Sequence, residues 1–340
     1  MNILFHNCYQ GLNDNNQLFE SRNAAIGDDL LRPFQVLKDL AEKRGLCVGT
    51  RSVISPDRAD VIVFVDLPDT TRPDVRELLD SGKPLYLLIF ESILIKPLDR
   101  AGDLLNRFRK IFTYDDSLVD GVKFIKINYS FDLPREIVVD SRREKKLCTM
   151  IAGNKLIRHP QELYSSRIEA IRWFENNHPE DFDLYGVGWK DHFFNNRSPL
   201  RVLNRFPLLR RALAASYPSY RGTVERKRPI LDGYKFAICY ENVRDVPGYI
   251  TEKIFDCLFA GCIPIYRGAS NITAHIPADC FIDFRDYNTY EELYRYISTV
   301  GADRHRTYIE CINSFLSSNQ ALSFSNDVFG NTVIEEIING

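Results

Sequence analysis

A chain of 340 residues that is 44% hydrophobic and 26% charged is long enough for two domains of ordinary size, each with its own core. Its 44 basic and 46 acidic residues leave a formal charge of -2, which excludes a broad electrostatic footprint for nucleic acid and confines charge-based binding to a local site. No stretch reaches the length of a membrane-spanning helix, and the eight cysteines lie far apart without the paired spacing of a zinc site, which predicts buried free thiols in a reducing cytoplasm.

The opening "MNILFHNCY" reads as a short apolar strand followed at once by polar residues. It has neither the basic start nor the long apolar core of a secretory signal, so a cytoplasmic protein is expected. Short apolar runs then alternate with helical patterns: "LLRPFQVLKDLAEKRG", "ADVIVFVDLP", "DVRELLDSG", "PLYLLIFE", "LLNRFRK", "IFTYDD" and "VKFIKINYS". That alternation predicts a parallel sheet covered on both faces. From residue 133 the polar stretch "LPREIVVDSRREKKL" reads as a connection, which sets a first domain over 1–135.

A second alternation follows over 136–325: "LCTMIAGN", "YSSRIEAIRWFENN", "FDLYGVG", "YKFAICYEN", "TEKIFDCLFAG", "CIPIYRG", "CFIDF" and "TYEELYRYISTV", with 326–340 left as a tail. Two such domains are expected to face each other across a cleft at the carboxyl ends of their strands, where open α/β sheets bind ligands. An insertion over 197–218 places five arginines among leucine, valine and phenylalanine in "RSPLRVLNRFPLLRRALAAS". It fits either an amphipathic segment resting peripherally on an anionic membrane or a surface helix pair broken by Pro207. The turn containing Gly186 and Gly188 lacks the full dinucleotide-binding glycine spacing and predicts no NAD site.

The stretch "YENVRDVPGYITEKIFDCLFAGCIPIYRG" concentrates the chemistry. The strand "YKFAICY" places Glu241 and Asn242 at its carboxyl end, Pro247 and Gly248 turn the chain, and Thr251 is the expected N-cap of a helix closed by Gly261. Glu252 suits the positive end of the helix dipole. Lys253 does not, unless an anion shares the site, and a phosphate there would accept from backbone N–H groups and pair with the ammonium. The competing explanation is a lysine held by a neighbouring carboxylate.

The segment "YKFAICYENVRDVPGYITEKIFDCLFAGCIPIYRGASNI" resembles the donor-binding motif of the α1,3/4-fucosyltransferases, in which a Tyr-Lys-Phe strand leads through Glu-Asn to a Tyr-(Val/Ile)-Thr-Glu-Lys helix and an Ala-Gly-x-(Val/Ile)-Pro strand. The resemblance covers 84–316 and is strong over 234–285. It implies the GT-B architecture of two Rossmann-like domains and transfer of fucose from GDP-fucose with inversion at the anomeric carbon. It further implies that Asn242, Tyr249, Glu252 and Lys253 form the GDP-fucose site beside Glu241, with Glu252 on the ribose hydroxyls and Lys253 on the diphosphate. A family arginine near the diphosphate is met by Arg221 in "YRGTVERKRPILDGYKF", with Arg226 and Lys227 as alternatives.

Inverting transfer needs a base for the acceptor hydroxyl. Glu91 ends the strand "PLYLLIFE", and "FES" is similar to the family segment that carries its proposed catalytic glutamate; Asp115 and Asp116 come next. The leaving diphosphate needs fixed cations or a divalent ion. The Asp-x-Asp pair Asp181 and Asp183 precedes its apolar run, and no histidine lies within four residues of another, so no required metal or other cofactor is expected. The expected partners are GDP-fucose and an oligosaccharide or lipid-linked glycan acceptor, N-acetylglucosamine-containing and α1,3-linked, in bacterial surface polysaccharide such as O-antigen or lipopolysaccharide. A transferase for another GDP-linked deoxysugar and a non-catalytic nucleotide-sugar-binding protein are the alternatives.

Overall fold

In the computed structural model of the chain, which describes residues 1–21, 29–139, 144–192 and 199–340, every pair of named strands is parallel. The chain divides into an N-terminal unit of Met1–Leu133, Val246–Ile250 and Ser318–Gly340 and a C-terminal unit of Pro134–Asp245 and Thr251–Ser317.

The N-terminal unit is built on β1 (Asn2–Asn7), β2 (Cys47–Gly49), β3 (Val61–Val65), β4 (Leu85–Ile89), β5 (Lys110–Thr113) and β6 (Phe124–Lys126), in the order β2-β1-β3-β4-β5-β6. The order reverses between β1 and β3, so connections leave those two strand ends in opposite directions and open a crevice at their carboxyl edge. The continuous apolar runs Val61–Val65 and Leu85–Ile89 are buried along their whole length, as strands covered on both faces require.

The C-terminal unit carries β7 (Lys146–Ile151), β8 (Phe182–Tyr185), β9 (Tyr220–Gly222), β10 (Tyr234–Tyr240), β11 (Ile263–Arg267) and β12 (Ile282–Asp283), ordered β12-β11-β10-β7-β8-β9. Counted within the unit this is 3-2-1-4-5-6, the Rossmann order, and its reversal lies between β7 and β10. Glu241 and Asn242, directly after β10, therefore sit at the switch point. Gly186 has a φ of 126°, and a Cβ there would lie 2.0 Å from the Ala152 carbonyl oxygen. Its freedom lets the chain leaving β8 pass against the end of β7.

Two sequence expectations change. The segment 326–340 is not a tail. Asn326–Asn339 is a helix capped by Ser325, which accepts from the Val328 N–H, and it returns to the N-terminal unit with Phe329, Val333, Ile334 and Ile337 in the same core as Phe34 and Leu37 of the helix Arg32–Lys43. Gly330 allows that approach, since a Cβ there would meet Leu40 Cδ1 at 2.9 Å. The stretch "LLNRFRK" forms 3-10 turns, Gly102–Arg107, in place of an α-helix.

Residues 197 and 198 of the basic insertion lie outside the described residues. From Pro199 it forms a 3-10 segment, Pro199–Arg205, and a short helix, Pro207–Ala212, that Pro207 begins. Among the described residues no helix is long and apolar enough to cross a membrane. All eight cysteines are free, and five of them, Cys148, Cys239, Cys257, Cys262 and Cys280, are buried.

Candidate active site

At the switch point of the C-terminal sheet, Thr251 caps the helix Glu252–Phe259. Glu241, fully buried, comes back to this helix start: its Oε1 accepts from the Thr251 N–H at 2.8 Å and its Oε2 from the Thr251 hydroxyl at 2.7 Å. The anion that Lys253 calls for is thus supplied by the chain itself. Lys253 Nζ lies 3.3 Å from Glu241 Oε2 and 3.4 Å from Glu252 Oε1, and it donates to Thr251 Oγ1 at 2.9 Å. The lysine is held by neighbouring carboxylates, and its side chain is 22% exposed.

Lys227 joins the same group, donating to Asp256 Oδ2 at 2.6 Å with Glu252 Oε1 at 3.7 Å. Burial pushes the Glu252 carboxyl up, but the ammonium groups of Lys253 and Lys227 outweigh it and bring the pKa down to about 2. Burial pulls Lys253 down, and the carboxylates of Glu252 and Glu241 more than restore it, so both charges are held through the neutral range. Arg167, buried on its own helix Tyr164–Asn177, donates to the Tyr240 and Glu241 carbonyls at 2.7 and 2.8 Å and to Asn242 Oδ1 at 3.0 Å, fixing the loop that leaves β10. Three carboxylates (Glu241, Glu252, Asp256) are thus paired with two ammonium groups (Lys227, Lys253).

Arg221 is not brought to this group. Its guanidinium pairs with Asp183, which also accepts from Lys146 at 2.7 Å and from the Tyr234 hydroxyl at 2.7 Å. Arg221 lies in the edge strand β9, level with Leu184 and Tyr185 at the carboxyl end of β8, with β7 and β8 between it and β10. Of the alternatives named with it, Lys227 is the one that the structure gathers beside Glu252. Asp183 is paired with those cations, and Asp181 accepts from the Tyr294 hydroxyl at 2.7 Å. Tyr249 packs with the N-terminal unit: its ring is 2% exposed and lies 4.9 Å from that of Tyr114 and 6.2 Å from that of Tyr129.

In the N-terminal unit Glu91 lies just beyond the end of β4, half-buried, with its Oε1 accepting from the Tyr9 hydroxyl. Asp115 accepts from the N–H and hydroxyl of Ser117 at 2.9 and 2.6 Å, and Asp116 pairs with Lys126 at 2.5 Å, so Glu91 is the less encumbered carboxylate of the three. Sequence reasoning passed over Asp66, whose signal was its place directly after β3, equivalent to that of Glu241 after β10. It also left the asparagine-rich start unassigned. Asn13 exchanges two hydrogen bonds of 2.8 Å with the Asn7 backbone, and Asn16 accepts from the Thr50 N–H at 2.9 Å; these amides close loops, while residues 22–28 of that stretch lie outside the described residues.

Residues 214–314 match the family model for the C-terminal part of glycosyltransferase family 10 (fucosyltransferase). The chain is 40% identical over 257 residues to an α-(1,4)-fucosyltransferase of Arabidopsis thaliana, a match covering 76% of this chain and 56% of that one. It is 36% identical over 87 residues to a human 4-galactosyl-N-acetylglucosaminide 3-α-L-fucosyltransferase, covering 25% of this chain and 24% of the relative. The chain thus spans about half or less of the length of these relatives. A crystal structure of an α1,3-fucosyltransferase superposes with a TM-score of 0.54 at 14% identity over 98% of this chain and 90% of the other, which places the two units in the GT-B fold class.

Proposed function

From the glycosyltransferase family 10 (fucosyltransferase) domain that residues 214–314 form, we propose that the protein transfers L-fucose from GDP-fucose to a hydroxyl of a glycan, with inversion. The observation that carries this reading is the Glu241–Thr251–Glu252–Lys253 constellation at the switch point of a Rossmann sheet. Glu252, ionised throughout the neutral range, accepts from the ribose hydroxyls. Lys253 takes the diphosphate, exchanging its long contacts to Glu241 and Glu252 for phosphate oxygens, and Lys227 adds a second positive charge next to Glu252. Asn242 lines the same loop. Glu91 removes the acceptor proton as the new glycosidic bond forms and the bond to the diphosphate breaks. The acceptor proposed is an N-acetylglucosamine-containing glycan of a bacterial surface polysaccharide, joined through an α1,3 linkage in the cytoplasm. Supporting it is the human relative, named a 4-galactosyl-N-acetylglucosaminide 3-α-L-fucosyltransferase. Release of GDP from GDP-fucose, measured with and without a panel of such acceptors, tests the reading; binding with no release in any arm would favour a non-catalytic nucleotide-sugar-binding protein.

In this reading the ammonium groups of Lys253 and Lys227 take the place of a divalent ion at the leaving diphosphate. Enzyme treated with EDTA is expected to keep most of its initial transfer rate. Loss of transfer on chelation, restored by added Mg2+ or Mn2+, contradicts this.

The basic insertion is proposed to rest on an anionic membrane, where a lipid-linked acceptor would be met. Leu200, Val202, Phe206, Leu208 and Leu213 are all about half exposed or more, and 199–213 contains no acidic residue; among the described residues Arg210 alone of Arg205, Arg210 and Arg211 is paired to an acid, Asp191 at 2.9 Å. Sedimentation with phosphatidylglycerol vesicles is expected to carry the protein down. Release by the double substitution Arg205→Glu and Arg211→Glu supports the contact, and unchanged sedimentation contradicts it.

A further inference from the structure

Strand β4 ends at Ile89, and the next two residues leave the ladder with their backbone groups needing new partners. Side chains supply all of them. Asp66, directly after β3, uses one oxygen, Oδ1, to accept from the N–H groups of both Phe90 and Glu91, each at 2.7 Å. The Tyr129 hydroxyl donates to the Phe90 carbonyl, and the Tyr114 hydroxyl donates to the Glu91 carbonyl at 3.1 Å. Asp66 is 5% exposed and has a φ of 62°, the left-handed region that a residue other than glycine rarely occupies. A buried carboxylate on a strained backbone position, aimed at the peptide that carries a neighbouring carboxylate, is expensive for a purely structural loop closure.

We infer that Asp66 is a positioning residue for the transfer reaction: by holding the Phe90–Glu91 peptide, it presents the Glu91 carboxylate at the carboxyl edge of the N-terminal sheet in one orientation. The inference rests on the reading of Glu91 as the base. A misplacement of about an ångström at a reacting group costs about a hundredfold in rate, so loosening this peptide shows in turnover before it shows in donor binding. Burial pushes the Asp66 carboxyl up to about 6, with the two N–H donors opposing it. The groups facing it are Cys8 and Tyr9 after β1, Glu91 and Lys96 in the loop after β4, and Tyr114 after β5. Lys96 donates to the Leu67 carbonyl at 3.0 Å. The ionised form makes the two bonds charge-assisted, so the hold on the peptide is strongest above about pH 6 and weakens as the pH falls through it.

Asp66→Asn keeps the shape and an acceptor oxygen and removes the charge. It is expected to lower kcat by about tenfold to a hundredfold, to leave the KM for GDP-fucose within about twofold, and to remove the acid limb of the kcat profile near pH 6. In a Glu91→Gln background the same substitution should cost nothing further. Tyr114→Phe, which deletes one hydroxyl from the same cradle, should lower kcat by a smaller factor at unchanged KM, and it carries the test if Asp66→Asn fails to fold. A wild-type kcat and pH profile in Asp66→Asn, or a loss that adds in full to that of Glu91→Gln, overturns the positioning role. Near-normal transfer by Glu91→Gln alone overturns the base assignment and this inference with it, a result read from a different variant.

Discussion

Glu91→Gln is expected to lower fucose transfer by about two to four decades, the usual contribution of a general base, while donor affinity stays within a factor of about two. Glutamine keeps the length and an oxygen that can accept from the Tyr9 hydroxyl, and its backbone N–H still reaches Asp66, so the loop after β4 has no reason to move. What it cannot do is take a proton. Donor affinity is spared because Glu252, Lys253 and Lys227 are organised within the C-terminal unit by Glu241 and Asp256. The check is the initial transfer rate at saturating donor and acceptor, set beside calorimetric GDP-fucose binding. If transfer stays near wild type, the base must be another carboxylate, and Asp115 is tested before Asp116 because the latter is paired with Lys126.

Lys253→Ala carries the second large effect. A charge-assisted contact to phosphate contributes about 1.5–3 kcal/mol, so GDP affinity should fall by about one to two decades. The structure adds a reason for the upper end of that range. Without the ammonium, Glu241 and Glu252 lose their nearest shared cation, and an arriving diphosphate meets carboxylates that Lys227 only partly offsets. Glu241 still accepts from the Thr251 N–H and hydroxyl, which preserves the cap and the fold. Calorimetry giving unchanged GDP affinity removes Lys253 from the donor site.

Much of this was legible from periodicity. The long apolar runs became β1, β3, β4, β7, β10 and β11, and Thr251 caps its helix as its hydroxyl predicts. The strands β2 and β9 escaped because three residues are too few to show a period. The last helix escaped although Phe329, Val333 and Ile337 recur every fourth residue, because a chain end with no following strand offered nothing to pack it against. The partner of Arg221 was not legible either: a three-residue strand shows no register, and only the pairing of Leu184 with Tyr220 sets the arginine within reach of Asp183. The partnership of Glu241 with Thr251 and Lys253 needs a ten-residue loop to close on itself. Both ends were visible, and the closure was not. Asp66 belongs to no motif, and only the fold shows one of its oxygens holding two N–H groups of the next strand's loop.

The most direct test of the central claim is donor choice at fixed acceptor. Purified protein is incubated with an N-acetyllactosamine acceptor and, in separate arms, GDP-fucose, GDP-mannose and UDP-glucose, and the sugar joined to the acceptor is measured. Transfer from GDP-fucose is expected, vanishing in Glu91→Gln and in Lys253→Ala at low donor concentration, with no transfer from UDP-glucose. Transfer from UDP-glucose with none from GDP-fucose would contradict it.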